Sequence, residues 1–525
     1  MASVDRAGET VSLQHGLFVE VRDRFFIEGV WNGSFDKGNF ATTDCVFGTG
    51  AILRNRSVLF VSSASTTDYL YYHQTAEHVV VSNSLPLLLS YVEDSLDPHC
   101  RSYPDINESI REGINDYIRD IPTLKGSVKR LMYRNLEVSP VGVAELEKDV
   151  PPRFHCFDDY YSYLLENYRL IVNNIRDRNR KIPLQIFSTQ SKGYDTTAVN
   201  AIAAKYGIDK VFTVSKGKNN HYLVLNDAAK QVDDDGSAIC STLGLKCFPI
   251  DRRSFAKNFD QEYLYYAALH YNQDANLKDI NDHISTVSVL LTGTLGEMWY
   301  TSRCAQDHPC PIDSALRRWD LGCHGLAEIR LVIGFIHLPL PFIGARQRED
   351  IVRITESPEM EPWRLGNSYD RPIPRRIAEQ AGVPRQMFGQ AKMASVLMFP
   401  RPSIPYDKKL RIEFCQYLVS ERVMNRQTMF LWPLIRFINT ILMLRSESRY
   451  RVIYYFERII SKLAGREFRF ELLWQHLNGS LYCFCVNKYA RELSKCFNHG
   501  CSVDSETYKS PNPHWSKSTP PLPFQ

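Results

Sequence analysis

Two kinds of hydrophobic pattern alternate along the central part of the chain. Short apolar runs that begin at Leu184, Val211 and Val287 are typical of buried strands, and polar turns containing glycine follow the first and the last. Apolar residues at helical spacing over 160–180 predict a long amphipathic helix, and a further helix is predicted over 198–206. Strands that alternate with helices are typical of a parallel sheet covered on both faces.

The patterns on either side of this region predict how the chain divides into domains. Residues 1–150 predict short strands joined by Gly, Asn and Ser turns, with one helix near 85–92. Consecutive prolines within 150–153 break both helix and strand, so we expect a linker there. A second domain is predicted over 154–500, mostly helical in its later part. The tail, 502–525, has few large aliphatic residues and is predicted to be disordered.

Composition excludes some classes of protein. A chain of 525 residues with 44 % hydrophobic and 23 % charged residues is long enough for two to four ordinary globular domains. A net charge of +4 gives no case for nucleic-acid binding. The chain does not open with a signal-peptide pattern, and its 13 cysteines lack the spacing of a disulfide framework. We therefore expect reduced thiols and a cytoplasmic location.

Three segments allow other interpretations. The cysteines within 304–310 and 483–501 could bind zinc, but neither segment has the paired spacing of a structural zinc site. Alternation over 482–486 instead predicts a strand with thiols on one face. The apolar run 429–444 is shorter than the roughly 20 residues of a membrane span, so we expect a buried helix and no membrane partner. The alternative is a helix that lies at the membrane interface.

The turn after the first strand carries the most specific chemical signal. Its sequence over 191–197 is Ser-Lys-Gly-Tyr-Asp-Thr-Thr, which places small and polar residues at the start of a predicted helix. Unpaired N–H groups and the helix dipole make such a turn suited to phosphate. Asp195 would repel phosphate unless a divalent cation lay between them, so the pattern indicates magnesium-nucleotide chemistry.

This turn resembles the pyrophosphate loop, Ser-Gly-Gly-x-Asp-Ser-Ser, of the asparagine synthetase superfamily, with Lys192 in place of the first glycine. Later segments resemble further motifs of that superfamily in the same order, namely 211–216, 287–299, 325–330 with 341–343, 371–376 and 388–392. In the motif at 287–299 the first magnesium-binding acid corresponds to Glu297, whereas Met298 replaces the second acid.

The first domain resembles a class II glutamine amidotransferase domain over 68–89 and 121–130. Glutaminases of that class need an N-terminal cysteine, because its free amine acts as the base for its own thiol. This chain opens with Met-Ala-Ser, and its first cysteine, Cys45, lies in an apolar stretch and is expected to be a buried structural thiol. We therefore predict no glutamine hydrolysis, as in the β-lactam synthetase and lasso-peptide cyclase members.

The resemblance implies a fold that combines α/β and α+β parts. A degenerate Ntn-hydrolase-like β-sheet domain would precede a Rossmann-like pyrophosphate-loop domain, of the adenine nucleotide alpha-hydrolase type, with a parallel sheet and a helical C-terminal part. The implied ligands are ATP and Mg²⁺.

The resemblance also implies roles for individual residues. ATP and pyrophosphate would be bound by Ser188, Ser191, Lys192, Gly193, Tyr194, Asp195, Thr196, Thr197, Val214 and Gly293. Asp195 and Glu297 would hold magnesium, and Lys392 would stabilise the charge that develops on pyrophosphate. Glu328 would act as a catalytic base with Arg330 beside it, and the alternative is an ordinary ion pair on a helix surface.

The function implied is that of a ligase that forms carbon–nitrogen bonds. It would adenylate a small-molecule or peptide carboxylate, release pyrophosphate, and pass the acyl group to an amine or ammonia in natural-product biosynthesis, and a homodimer is compatible with it. One alternative is a nucleotide-binding pseudoenzyme or scaffold, because Lys192 and Met298 depart from the motifs. Another is a different pyrophosphate-loop reaction such as tRNA thiolation, although the nearest cysteines, Cys156 and Cys240, lie outside the motifs.

Overall fold

The computed structural model describes most of both predicted domains. The described residues are 1–5, 10–214, 216–218, 231–250, 261–268, 280, 283–284, 287–294, 296–299, 326–366, 369–390, 405, 407–426, 429, 458–465, 471–498, 504–509 and 516–518. Several predicted features lie outside the described residues, namely Lys392, the cysteines of 304–310 and nearly all of the apolar run 429–444. The side chain of Glu297 is also outside the description.

The first part of the chain forms antiparallel strands and two short helices. The elements are β1 (Ala2–Asp5), β2 (Thr10–His15), β3 (Glu20–Val21), β4 (Phe25–Trp31), β5 (Val46–Arg54), β6 (Ser57–Val61), β7 (Leu70–Gln74), β8 (His78–Ser82), α1 (Leu85–Tyr91), α2 (Tyr103–Glu108), β9 (Asp120–Thr123), β10 (Gly126–Leu131), β11 (Asn135–Ser139) and β12 (Gly142–Leu146). One sheet has the order β2-β1-β8-β7-β10-β9, and the other has the order β12-β11-β6-β5-β4-β3. The predicted strands and the helix near 85–92 are confirmed.

The two antiparallel sheets share a hydrophobic layer. Leu13 and Tyr72 of the first sheet belong to the same buried cluster as Phe26 and Phe60 of the second. The Phe26 and Phe60 rings meet edge to face, with 6.4 Å between their centroids. Because side chains alternate between the faces of a strand, this layer uses every second residue of the pattern.

The second part of the chain alternates strands with helices. The elements are α3 (Phe157–Ile175), β13 (Gln185–Gln190), α4 (Tyr194–Ala203), β14 (Lys210–Val214), β15 (Lys216–Lys218), β16 (Gln231–Asp233), α5 (Ser237–Thr242), β17 (Cys247–Ile250), α6 (Glu262–Tyr266), β18 (Ser288–Thr292), α7 (Ala327–Ile333), β19 (Phe335–Pro339), α8 (Arg348–Glu356), α9 (Pro372–Gln380), α10 (Lys408–Ser420) and α11 (Glu471–Asn498). Five strands form one sheet in the order β17-β14-β13-β18-β19, and each pairing is parallel. The predicted parallel sheet is confirmed.

Both faces of the parallel sheet are buried. Ile186 and Val289 belong to the hydrophobic cluster that also contains residues of α3 and α4. Their chain neighbours Phe187 and Leu290 belong to a second cluster, which includes residues of α6 and α11. This explains why the central strands are continuous apolar runs rather than alternating patterns.

Two described segments of the tail are strands, in contrast to the predicted disorder. Strands β20 (Asp504–Lys509) and β21 (Ser516–Ser518) extend the first antiparallel sheet beyond β2. Six residue pairs join β20 to β2. An edge strand presents unpaired backbone groups that can bind another segment, and this source of order does not depend on the few large aliphatic residues of the tail.

The structure has a helix where alternation predicts a strand. Residues 482–486 lie within α11, and each of them is buried. A helix that is surrounded on all sides shows no helical period, and a short apolar run within it cannot be told from a strand by its pattern. None of the described helices is long and apolar enough to cross a membrane.

A buried ionic cluster joins the two parts of the chain. Arg330 of α7 donates through Nη1 to Glu28 Oε1 at 2.6 Å, and its Nε lies 2.5 Å from Asp68 Oδ1. Asn83 Nδ2 donates to the other Glu28 oxygen at 2.9 Å. Burial raises the pKa of both carboxyls, and the Arg330 charge opposes that shift. Arg330 is only 2 % exposed, so the alternative of a helix-surface ion pair is wrong for this residue.

The predicted linker is irregular in backbone but packed against the second part of the chain. Pro151 O accepts a hydrogen bond from Gln347 Nε2 at 2.7 Å. Arg153 donates through two nitrogens to the Asp350 carboxylate, each at 2.7 Å. The linker is therefore fixed to the second part of the chain at Gln347 and Asp350.

We predict that Arg330→Leu strongly destabilises the fold. The change leaves two carboxylates buried without their shared cation, and breaking a buried ion pair in this way costs about 3–5 kcal/mol. Urea unfolding followed by circular dichroism would measure the loss.

The matched control for this prediction is Arg169→Leu. Arg169 pairs with Glu166 on the exposed face of α3, where such pairs contribute less than about 1 kcal/mol. Equal and small effects of the two changes would contradict a connecting role for Arg330.

Candidate functional site

The polar turns after β13 and β18 lie against each other. The two strands are parallel neighbours, so both turns leave the sheet at its C-terminal edge, where ligands bind in open α/β sheets. A Cβ atom at Gly293 would lie 2.7 Å from Thr196 N, and one at Gly296 would lie 2.2 Å from Asp195 Cγ. Glycine is therefore required at both positions, and the Asp195 carboxyl rests directly on the second turn.

Helix α4 begins earlier than predicted. It starts at Tyr194 rather than near Ala198, so that Asp195, Thr196 and Thr197 belong to its first turn. Gly193 is the N-cap residue and no side chain caps the helix. An acid in the first turn interacts favourably with the helix dipole.

Hydrogen bonds within the protein already use three N–H groups of the 191–197 turn. Ser191 N donates to Thr196 Oγ1 at 3.2 Å, and Gly193 N donates to Ser191 Oγ at 3.1 Å. Lys192 N donates to Asp234 Oδ1 at 2.8 Å. A phosphate that bound Lys192 N would have to replace the Asp234 carboxylate.

The Lys192 side chain is held by the same acidic segment. Its ammonium group forms an ion pair with Asp233, and the hydrogen bond from Lys192 is the largest cause of the lowered pKa of that carboxyl. The substitution that departs most from the pyrophosphate-loop motif thus has a partner within the protein.

The buried side-chain amides of Gln190 and Asn200 form hydrogen bonds that hold the turn. Gln190 donates through Nε2 to Ser191 O at 2.6 Å and to Thr197 Oγ1 at 3.0 Å. Asn200 Nδ2 donates to Gln190 Oε1 at 2.7 Å. These bonds fix the path of the chain between β13 and α4.

Two other residues that were predicted to bind ATP, Ser188 and Val214, lie in strands of the parallel sheet. Ser188 is in the middle of β13 and is fully buried. Val214 is the last residue of β14, next to β13, and is 4 % exposed. Of these two, Val214 lies at the strand end where the turns converge.

The predicted basic segment packs onto the turn through Tyr194. Arg375 of α9 donates to the Tyr194 hydroxyl, and its guanidinium lies 4.9 Å from the centre of the Tyr194 ring. Gly389 N donates to Lys192 O at 2.8 Å. Gly389 has a φ of +63°, and a Cβ there would lie 2.4 Å from the Tyr194 ring, so this contact also requires glycine.

Charges from three segments surround Tyr369. Burial is the largest cause of the raised pKa of this phenol, Asp195 and Asp234 raise it further, and Arg371 lowers it. The Arg371 guanidinium lies 5.6 Å from the centre of the Tyr369 ring. The acid of the turn, the acid that binds the turn and a cation of the basic segment therefore share one environment.

The described residues bring one carboxylate, that of Asp195, to the contact between the two turns. Within the described residues there is no cluster of three or more His, Cys, Asp or Glu side chains that could hold a metal ion. Magnesium is usually bound by one or two carboxylates together with substrate phosphates and water, and a single carboxylate such as that of Asp195 is compatible with such a site.

Glu328 lies at the boundary between the two parts of the chain. Its Oε2 accepts a hydrogen bond from Ser84 Oγ at 2.8 Å, and Ser84 Oγ also accepts from Leu87 N as the cap of α1. Glu328 is 2 % exposed, and burial raises the pKa of its carboxyl to about 7. The structure thus joins Glu328 to the first antiparallel sheet region rather than to a partner on its own helix.

Sequence reasoning did not single out several residues that shape the site. Gly296 lies within the second motif, and the close approach of Asp195 shows why it is glycine. Asp234 belongs to an acidic triplet that directly precedes Gly236 and α5. The triplet can be seen in the sequence, but it matches none of the motifs, so it predicted no role. Arg371 and Arg375 were predicted only as members of a basic segment. Cys45, in contrast, is buried as predicted.

Comparison of the chain with protein-family models gives no match, and comparison with curated proteins gives none either.

We predict that Glu328→Gln changes how stability depends on pH. The carboxyl releases its proton near its ordinary pKa of 4.5 in the unfolded chain and near 7 in the folded protein. Between pH 4.5 and 7 the folded protein therefore keeps a proton on Glu328 that the unfolded chain has released. The free energy of unfolding falls as pH rises through this window, by up to roughly 3 kcal/mol. Above about pH 7 the penalty is complete. The glutamine side chain cannot titrate, so the variant should gain stability relative to the natural protein between about pH 5 and 8.

Urea unfolding at these two pH values would measure this gain. Glu166→Gln is the control, because Glu166 is exposed and its pKa is lowered by Arg169 rather than raised. Parallel pH profiles of Glu328→Gln and the natural protein would show that Glu328 does not hold the extra proton.

Proposed function

We propose that the protein is an ATP-dependent ligase that adenylates a carboxylate, releases pyrophosphate and transfers the acyl group to an amine or ammonia, without hydrolysing glutamine. The observation that carries the proposal is the contact of Asp195 with the second turn at Gly293 and Gly296. The proposal includes a degenerate Ntn-hydrolase-like first domain and a Rossmann-like pyrophosphate-loop second domain.

The first step requires charge neutralisation. A carboxylate is a poor acyl donor because its leaving group would be oxide, and transfer to the α-phosphate of ATP provides AMP as a better one. The N-terminus of α4 and Arg371 supply positive potential where pyrophosphate would form. The Lys192 ammonium would add to it on leaving Asp233. Asp195 would hold the magnesium ion, which neutralises phosphate charge when bound. Glu297 and Lys392 remain proposed contributors to the same step.

The second step requires a base. The attacking amine must lose a proton, and a base works best when its pKa lies near the operating pH. Glu328 has such a pKa, about 7, and Ser84 holds its carboxyl in place. We propose Glu328 as this base, with Arg330 fixing the helix that carries it.

We predict that Asp195→Asn abolishes pyrophosphate release from magnesium-ATP in the presence of a carboxylate substrate. The expected loss is at least about 100-fold, because the magnesium ligand is removed while the volume is kept. A panel of carboxylates and amines would be screened for release with the natural protein first.

Two further variants sharpen that experiment. Gly296→Ala retains the Asp195 charge but places a Cβ against its carboxyl, so it should lower release as well. Glu166→Gln replaces an exposed acid of α3 that pairs with Arg169 and should leave release unchanged. Undiminished release in Asp195→Asn would remove Asp195 from catalysis.

We predict that Glu328→Gln leaves adenylate formation intact and slows amide formation, because only the second step needs a base. Carboxylate-dependent exchange of labelled pyrophosphate into ATP measures the first step, and product formation measures both. Equal loss of the two activities would contradict the role of Glu328 as the base.

A nucleotide-binding pseudoenzyme or scaffold is the second candidate, and one observation favours it. Internal partners already occupy the N–H groups of Ser191, Lys192 and Gly193. In addition, Met298 stands where the resemblance implies a second acid, and it is buried in the core. Calorimetric titration with magnesium-ATP identifies a scaffold that has lost nucleotide binding, since it would give no heat. A nucleotide-binding pseudoenzyme would give heat but no carboxylate-dependent release of pyrophosphate.

A further inference from the structure

Two cysteines face each other beside the candidate site. Cys240 lies on α5 and is fully buried, whereas Cys247, the first residue of β17, is partly exposed. Each thiol is among the causes of the pKa shift of the other, so the two side chains are neighbours. Ser237 Oγ also donates to Cys247 Sγ, at 3.9 Å. Leu245 N donates to Cys240 O at 2.8 Å, which closes the short loop between the two elements.

The surroundings of the two thiols give them different chemistry. The hydrogen bond from Cys240 is the largest cause that lowers the pKa of Cys247, and the bond from Ser237 adds to it. Cys240 has its pKa raised. Elsewhere in the chain, burial raises the pKa of Cys415 and Cys483. The thiolate is the reactive form of cysteine, so Cys247 combines reactivity with access and has a second thiol within reach.

We propose that Cys240 and Cys247 are a redox modification site, which forms a reversible disulfide between α5 and β17 when the protein meets a peroxide.

The chemistry balances with hydrogen peroxide as the oxidant. The Cys247 thiolate attacks one peroxide oxygen, the O–O bond breaks, and hydroxide leaves and takes up a proton to become water, which gives a sulfenic acid on Cys247. Cys240 then attacks the Cys247 sulfur, the S–O bond breaks, and a second water is released. The two thiols lose two electrons and two protons in total, and one peroxide becomes two waters. A dithiol reductant reverses the change by thiol–disulfide exchange.

The position of this pair connects it to the candidate nucleotide turn. The residues just before α5 include Asp233 and Asp234, which bind the ammonium and the N–H of Lys192. Gly236 N donates to Thr213 Oγ1 of β14 at 2.9 Å, so the start of α5 is anchored to the sheet. A covalent bond from α5 to β17 would hold this acidic segment in its contact with Lys192.

A regulatory consequence follows, and it rests on the proposed function. Phosphate binding at Lys192 N requires the Asp234 carboxylate to move away. We expect the disulfide to oppose that movement, so the oxidised protein should release less pyrophosphate than the reduced protein.

The modification site is tested by mass spectrometry of the whole chain after treatment with hydrogen peroxide. Trypsin separates the two cysteines into peptides 231–246 and 247–252. We expect these peptides to be joined, with the loss of two hydrogen atoms, and to separate again in dithiothreitol. In Cys240→Ser, a sulfenic-acid probe should label Cys247, because the second thiol is missing.

Cys415→Ser is the matched control, since Cys415 is also partly exposed and should leave the cross-link unchanged. Absence of the 231–246 to 247–252 cross-link, or no labelling of Cys247 in Cys240→Ser, would overturn the proposal.

Pyrophosphate release by the oxidised and reduced forms separates this proposal from the ligase proposal. Release in the reduced form that falls on oxidation and survives oxidation in Cys247→Ser supports the regulatory role. Equal release by both forms overturns that role. If the reduced form releases none, the ligase proposal and the regulatory role fail together, and the modification site is judged by the cross-link alone.

Discussion

The guanidinium of Arg330 is buried between two carboxylates, and the arrangement of the molecule depends on this contact. Charges removed from water are tolerated only when their partners are fixed at hydrogen-bonding distance. Glu28 and Asp68 come from the antiparallel sheet region, whereas Arg330 comes from the helix that leads into β19. Two residues before Arg330, Glu328 reaches Ser84 at the start of α1. The last strand of the parallel sheet therefore takes its place relative to the first part of the chain through a few buried polar contacts.

The candidate site follows from the order of strands in that sheet. Because β13 and β18 are parallel neighbours, the turns that follow them meet at one edge, and glycines at 293 and 296 let the backbone of one approach Asp195 of the other. Helix α9 then brings Arg375 onto Tyr194. The acidic segment before α5 occupies the same turn, so a nucleotide bound as proposed would have to replace the Asp234 carboxylate there.

Local sequence patterns predicted the helices and strands better than they predicted which residues contact each other. The strand before Ser191 and the helix over 160–180 were predicted from apolar spacing, which depends only on neighbouring residues. The α11 segment was predicted as a strand because a helix buried on every side loses its period. For Lys192 the sequence could not supply the partner, since Asp233 lies far along the chain and meets it only through the fold.

By itself, the sequence determined the kind of most elements, the parallel arrangement of the central sheet, and the turn of small residues with one acid at its C-terminal edge. These features depend on the period of apolar residues and on what each turn residue allows. Only the tertiary structure decided that Arg330 is buried against Glu28 and Asp68, that Asp234 binds the turn, and that Cys240 faces Cys247. Such contacts join residues from separate elements, so their geometry is set by packing rather than by local spacing.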